Sequence, residues 1–364
     1  MSTPLPHRRA NQSSASGNEI QTKILLLGLR RSGKTSIQRV VFERLPAKQT
    51  FYLDTSTRIN KYRFNSVIPL EIWDCPANVT LEQLSPLSQF SSIIFVIDII
   101  DKFSGPVNKL VDWIAVFYAE KPDINVEVFA HKEDAITVDD YKLETFGNLQ
   151  RLVVESLADA LAPPTDDQNS PSYFENLQIP VSFHLTSVYN HSIYEAFSKT
   201  IHKLIEPLSY IEDLLNIFCA NSQCAKAFLF DTNARLYVAT DTSPVDSGTH
   251  NLCCDYVLML NQLAPLYKDA NKPEVLPTGR SPTRWASSST RLKPDSTLTY
   301  WQVTPNMAVV TLLRTELFQT RRGLIEYNLV FLREGIQEIL EVENLRQRGE
   351  LTNVVSPTSP EKDS

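Results

Sequence analysis

The stretch Gly28-Leu29-Arg30-Arg31-Ser32-Gly33-Lys34-Thr35 constrains this chain more than any other. It follows an apolar run, Lys23-Ile24-Leu25-Leu26-Leu27, with the character of a buried strand, and precedes Ser36 to Glu43, where apolar residues fall at helical spacing. Strand, glycine-bounded turn and helix form the context a phosphate-binding loop requires. The spacing G-x-x-x-x-G-K-[ST] has a mechanical basis. The glycines let the backbone curl so that N–H groups face phosphate oxygens. Lys34 brings a positive charge, and the Thr35 hydroxyl is a hard donor suited to Mg²⁺. The helix beginning there adds its positive end. Arg31, Ser32, Gly33, Lys34, Thr35 and Ser36 are therefore the candidate phosphate contacts, with Arg30 and Arg31 turning their side chains to the surface.

Beyond the loop, the chain alternates apolar runs with amphipathic stretches. Strands are expected at 67–74, 92–98, 125–130 and 181–185, and helices at 107–120, 139–161 and 192–205. That alternation predicts a mostly parallel sheet covered on both faces, whose ligands gather at the carboxyl ends of its strands. The segment 47–65 shows no clear period, and 163–175 is a polar, proline-containing insertion. After Pro207 the pattern changes to helix (208–220), hairpin (226–231 and 235–240), helix (250–267), a long polar stretch (269–298), two strands (298–305 and 307–313) and a helix over 318–347. This is an α+β module separate from the first. The expected domains are 21–206 and 207–347, with 269–298 a flexible insertion and with disordered tails over 1–20 and 348–364.

A net charge of -7 argues against general nucleic-acid binding. No run of about 18 apolar residues exists to cross a bilayer. Ser2 and the Pro-Glu-Lys-Asp-Ser ending lead us to expect no myristoyl or prenyl anchor. The five cysteines are scattered, as expected of reduced thiols. Cys219 and Cys224 are five apart without a second ligand pair, which favours core packing over metal binding.

Three further predicted strands end in polar residues. Asp74, 39 residues after Thr35, stands where an acid can hold Mg²⁺ beside the Thr35 hydroxyl. Lys132-Glu133-Asp134 follows the 125–130 strand. A carboxylate at Asp134 can accept two N–H donors from guanine, a pair that adenine lacks, while the Lys132 stem can lie over the purine. Thr186-Ser187-Val188 can offer a backbone N–H to the base carbonyl.

On Leu26 to Gln38, His131 to Asp134, Leu185 to Lys199, Lys226 to Asp231 and Ala239 to Asp246, the chain resembles the Rag GTPases of the Ras superfamily, in particular the RagC/RagD-type subunit of fungal kind. The resemblance covers about 23–345. It implies a P-loop GTPase domain followed by a roadblock-type dimerisation domain, with GTP or GDP and Mg²⁺ as cofactors. It also implies a heterodimer with a RagA/RagB-type subunit, held at the cytoplasmic face of the vacuole or lysosome by a lipid-anchored scaffold. That heterodimer signals amino-acid sufficiency to the TOR kinase complex. Within this pattern Thr35, Ser56 and Asp74 become the Mg²⁺ set, with Thr55 and Thr57 as alternatives to Ser56, and Ala77, Ser187 and Val188 join the nucleotide contacts.

The chain departs from the superfamily in two places. Asp74-Cys75-Pro76-Ala77-Asn78 stands where Asp-x-x-Gly-Gln is usual. Asn78 is one methylene shorter than the glutamine that orients the attacking water, so slow intrinsic hydrolysis is expected and no residue is assigned as catalytic. His131 stands where Asn is usual, as it does in the Rag pattern. Two rival readings follow. One is a hydrolysis-deficient scaffold that binds nucleotide and supports its partner through the second domain. The other, disfavoured by Asp134, is an ATP-using P-loop enzyme.

Overall fold

The computed structural model describes residues 22–65, 69–161, 181–205, 208–264, 285–293 and 295–347. The expected terminal tails, the 163–175 insertion and most of 269–298 lie outside these residues.

The first sheet has six strands: β1 (Thr22–Gly28), β2 (Asn60–Asn65), β3 (Pro69–Asp74), β4 (Ser92–Asp98), β5 (Asn125–His131) and β6 (Val181–Thr186). Their order is β2-β3-β1-β4-β5-β6, with β2 antiparallel to β3 and every other pair parallel. The run Ile24 to Leu27 is apolar throughout because both faces are covered. Ile24 and Leu26 join one core cluster, Leu25 and Leu27 the other. Helices α1 (Lys34–Phe42) and α5 (Ser192–His202) bury Ile37, Val41, Ile193 and Phe197 on the first face. Helices α3 (Ser104–Glu120) and α4 (Asp139–Leu161) bury Leu110, Ile114, Leu149 and Val153 on the second. A short helix, α2 (Leu81–Leu84), carries a capping box between Thr80 and Gln83.

The second sheet is antiparallel throughout, in the order β8-β7-β11-β10-β9. Its strands are β7 (Lys226–Asp231), β8 (Leu236–Thr240), β9 (Ser287–Lys293), β10 (Ser296–Thr304) and β11 (Met307–Arg314). Helices α6 (Leu208–Ser222) and α9 (Arg322–Gln347) cover one face, and α7 (Ser247–Leu263) covers the other through Cys253, Cys254 and Val257. One apolar cluster runs unbroken from the α1/α5 face of the first sheet into the α6/α9 face of the second.

Three expectations are corrected. The supposedly aperiodic 47–65 stretch contains β2, whose Tyr62 and Phe64 pack inward while its polar neighbours face out. Two inward residues are too short a pattern to stand out. The expected insertion 269–298 includes β9 and the start of β10. Ser287-Ser288-Ser289-Thr290 has no apolar face, and the strand is held at the sheet edge by its backbone ladder to β10. The helix expected over 318–347 is two helices, α8 (Thr315–Thr320) and α9, separated at Arg321, whose φ of -123° and ψ of 24° leave the helical region.

Candidate functional site

The site is built by close backbone approach. Gly28 has φ +143°, and a Cβ there would lie 2.4 Å from the Val96 carbonyl oxygen of β4. Gly33 has φ +104°, and its Cβ would lie 2.5 Å from Cδ2 of His131. Both glycines are thus required twice over, by conformation and by space. The loop between them leads into α1, whose first turn carries neither a side-chain cap nor an acidic residue. Its unsatisfied N–H groups face the cleft and suit an anion. Lys34 is folded into this loop, donating to the carbonyls of Gly28 at 2.9 Å and Leu29 at 2.8 Å. Burial lowers its pKa, opposed by the negative charge of Asp74.

Thr35, Ser56 and Asp74 meet at one point. The Thr35 and Ser56 hydroxyls are 2.7 Å apart, and both donate to Asp74 Oδ2, at 2.7 and 3.0 Å. The other Asp74 oxygen, Oδ1, is buried and has no partner among the described residues. One carboxylate with two hydroxyls is a hard, oxygen-only donor set that fits Mg²⁺, which keeps waters and phosphate oxygens in its remaining positions. Among the described residues no cluster of three His, Cys, Asp or Glu exists to compete for a softer metal. Thr55 and Thr57 line the cleft but do not join the Thr35–Asp74 contact.

The other end of the cleft is knitted from β5 and β6. His131 Nδ1 lies 3.0 Å from the Thr186 hydroxyl, and its ring closes over Gly33. Burial, reinforced by the Lys132 charge, lowers its pKa to about 4, so it is a neutral ring that ties the phosphate loop to two strand ends. Lys132, at φ +66°, reaches back to the Arg31 carbonyl at 2.8 Å and Asp98 Oδ2 at 2.5 Å, so its stem bridges the base end and the phosphate loop. Asp134 is exposed toward the cleft and takes a short hydrogen bond from the Ser187 hydroxyl. The Ser187 backbone N–H donates to the Ser192 hydroxyl at 2.9 Å. Of the three backbone N–H groups expected to be available to a base carbonyl at 186–188, the one of Ser187 is thus used in the turn into α5. The Val188 N–H has no protein acceptor among the described residues. Asn190 braces the same loop by donating to Glu133 at 2.7 Å.

Arg31 to Ser36, Ser56, Ala77, His131, Lys132, Asp134 and Val188 line a cleft of about 870 Å³, at the upper end of small-molecule sites, while Asp74 and Ser187 are buried and do not line it. Ala77 and Asn78 lie on its wall. Ala77 does not need a positive φ in this arrangement, so the missing glycine is tolerated. The Asn78 side chain is exposed. Sequence reasoning missed Phe51 and Tyr189, both cleft-lining aromatics with most of their surface exposed. The signal for Phe51 was an aromatic pair, Phe51-Tyr52, inside an otherwise polar stretch.

Residues 23–257 match the model of the Gtr1/RagA G protein conserved region. The chain belongs to the Gtr1/RagA G-protein family. It is 37% identical over 328 residues to the GTP-binding protein gtr2 of Schizosaccharomyces pombe, covering 87% of this chain and 97% of that one. It is also 37% identical over 330 residues to human Ras-related GTP-binding protein C, covering 88% and 77% respectively. GTP-binding protein GTR2 of Saccharomyces cerevisiae is 29% identical over 343 residues, covering 90% and 95%. Within the Gtr1/RagA family, then, this is a Rag-type guanine-nucleotide-binding chain of the Gtr2/RagC kind. No helix among the described residues of this family member is long and apolar enough to cross a membrane.

Proposed function

We propose that this chain is the Gtr2/RagC-type subunit of a Rag heterodimer, switching between GTP and GDP with Mg²⁺. The observation that carries the reading is the convergence of Thr35, Ser56 and Asp74 beside the buried Lys34. Arg31 to Ser36 and Ala77 hold the phosphates. Thr35, Ser56 and Asp74 hold the metal, which when bound offsets phosphate charge. His131 fixes the loop, while Lys132, Asp134, Ser187 and Val188 hold the base, with Asp134 selecting guanine. The Ser187 contribution is its hydroxyl, which orients the Asp134 carboxylate. Ser56 belongs to a segment distant in sequence from the phosphate loop, so its grip on the metal makes that segment sensitive to the nucleotide.

The second, α+β domain pairs with a RagA/RagB-type subunit. A lipid-anchored scaffold holds the pair at the cytoplasmic face of the vacuolar or lysosomal membrane, where it reports amino-acid sufficiency to the TOR kinase complex. A second reading is favoured by Asn78: a nucleotide-binding scaffold whose hydrolysis is negligible. Single-turnover GTP hydrolysis by the purified heterodimer separates the two. The switch reading expects turnover that rises at least about tenfold with an activating protein, a barrier change of about 1.4 kcal/mol. A flat, unstimulated trace supports the scaffold.

A further inference from the structure

The C-terminal end of α6 holds two thiols against each other. The helix stops at Ser222, and Gln223 takes the left-handed conformation at φ +52°. The chain then folds back so that the Cys224 N–H donates to the Cys219 carbonyl at 3.0 Å. In this helix-ending turn the side chains of the two residues joined by the closure stand on one side and touch. Here both are cysteine. Both are free thiols, partly exposed, and both pack against the same core cluster. Their contact is the leading cause that pushes the Cys224 thiol up. The other three cysteines, Cys75, Cys253 and Cys254, are buried.

We propose that Cys219 and Cys224 are a redox modification site, closing to a reversible intrachain disulfide when the protein meets a hydroperoxide. The backbone bond from Cys224 to Cys219 closes the turn with the two side chains in contact, the approach and convergence a disulfide needs. The chemistry balances in two steps. The Cys219 thiolate attacks the terminal peroxide oxygen, the O–O bond breaks, and Cys219 becomes a sulfenic acid while the peroxide leaves as an alcohol or as water. The Cys224 sulfur then attacks the Cys219 sulfur, the S–O bond breaks, and hydroxide departs as water with the Cys224 proton. Two electrons pass from the thiols to the peroxide. Cys219 is the first attacker because Cys224 retains its proton. The closed ring pins the end of α6, a helix that packs along α9, to the start of β7, where the Ala225 N–H is already bonded to the Leu312 carbonyl at 3.0 Å. Neither cysteine lines the nucleotide cleft, and the site does not depend on the functional reading above.

The test exposes the full folded chain to hydrogen peroxide and maps its disulfides by non-reducing peptide mass spectrometry. The proposal expects a Cys219–Cys224 linked species lighter by two hydrogen atoms, loss of two of the five titratable thiols, and full recovery with dithiothreitol. Cys224→Ser should halt at a dimedone-reactive sulfenic acid on Cys219, and neither Cys224→Ser nor Cys219→Ser should form an intrachain disulfide at the same dose. Oxidation that runs to sulfinic acid or to chain-to-chain disulfides without the 219–224 link would overturn it, as would thiol loss confined to Cys75, Cys253 or Cys254.

Discussion

Arg44 holds Asn233 at two points, donating from Nε to its backbone carbonyl at 2.9 Å and from Nη2 to its side-chain oxygen at 2.7 Å. Arg44 follows α1, the helix that starts in the phosphate loop, and sits at φ +59°. Asn233 caps the β7–β8 turn, where Asp231 Oδ1 accepts the N–H groups of Asn233 and Ala234. The phosphate loop and the second sheet are thus linked through one short helix. Arg235 from the same turn adds a second tie, stacking on the Tyr194 ring at 4.3 Å and bonding its hydroxyl.

Arg44→Ala and Asn233→Ala should each destabilise the chain by about 0.5–1 kcal/mol, the range for exposed hydrogen-bonded pairs. A double-mutant cycle read by denaturant unfolding isolates the bond to the Asn233 side chain, because the backbone carbonyl survives in Asn233→Ala. Strictly additive effects would mean that side-chain bond carries no energy.

Gly33→Ala should abolish GDP retention and lower the thermal midpoint. The added methyl meets the His131 ring at 2.5 Å, and φ +104° adds strain of about 1–3 kcal/mol for a residue with a side chain. Adding His131→Ala removes the clash and leaves the strain, so the double variant should recover part of the loss only. Filter binding of labelled GDP and a thermal melt measure both.

His131 and His202 make stability fall in mild acid. Burial lowers each pKa from 6.5 to about 4. His202 packs edge-on to Tyr237, and its Nε2 has no partner among the described residues. Below about pH 6.5 the unfolded chain binds protons that the folded chain refuses until about pH 4. Each histidine therefore withdraws up to about 3 kcal/mol across that window and nothing above it. Guanidinium unfolding at pH 7 and pH 5 should show the decline, and His131→Gln should make it shallower.

Much of this was legible before the fold was known, for stated physical reasons. Ile24 to Leu27 and Ile93 to Ile97 are too apolar for anything but strands covered twice, and the glycine spacing announced the phosphate loop. Asp74 and Asp134 could be placed at one end of the sheet because each follows an apolar run with the character of a buried strand. β2 and β9 could not, because edge strands are held by backbone pairing and carry little side-chain pattern. The wiring of His131 over Gly33, and the use of the Ser187 N–H within its own turn, depend on distances across 98 and five residues of sequence respectively, which no local pattern encodes. The Arg44–Asn233 tie spans 189 residues and was invisible for the same reason.

Asp134→Asn should weaken GDP binding by about ten- to a hundredfold, matching the roughly 1.5–3 kcal/mol of a hydrogen bond to a charged group. The Asn amide can donate where the carboxylate could only accept, so xanthosine diphosphate, with a carbonyl in place of the guanine amino group, should bind better to the variant than to the parent. Competition binding with the two nucleotides checks the exchange of preference.

The most direct measurement is equilibrium uptake of labelled GDP by the folded protein in Mg²⁺, challenged with unlabelled GTP and with ATP. Phosphates seated on Arg31 to Ser36 and a purine gripped by Asp134 require saturable uptake that GTP displaces and that a hundredfold excess of ATP leaves in place. No uptake, or equal displacement by ATP, would contradict a guanine-specific site in this cleft.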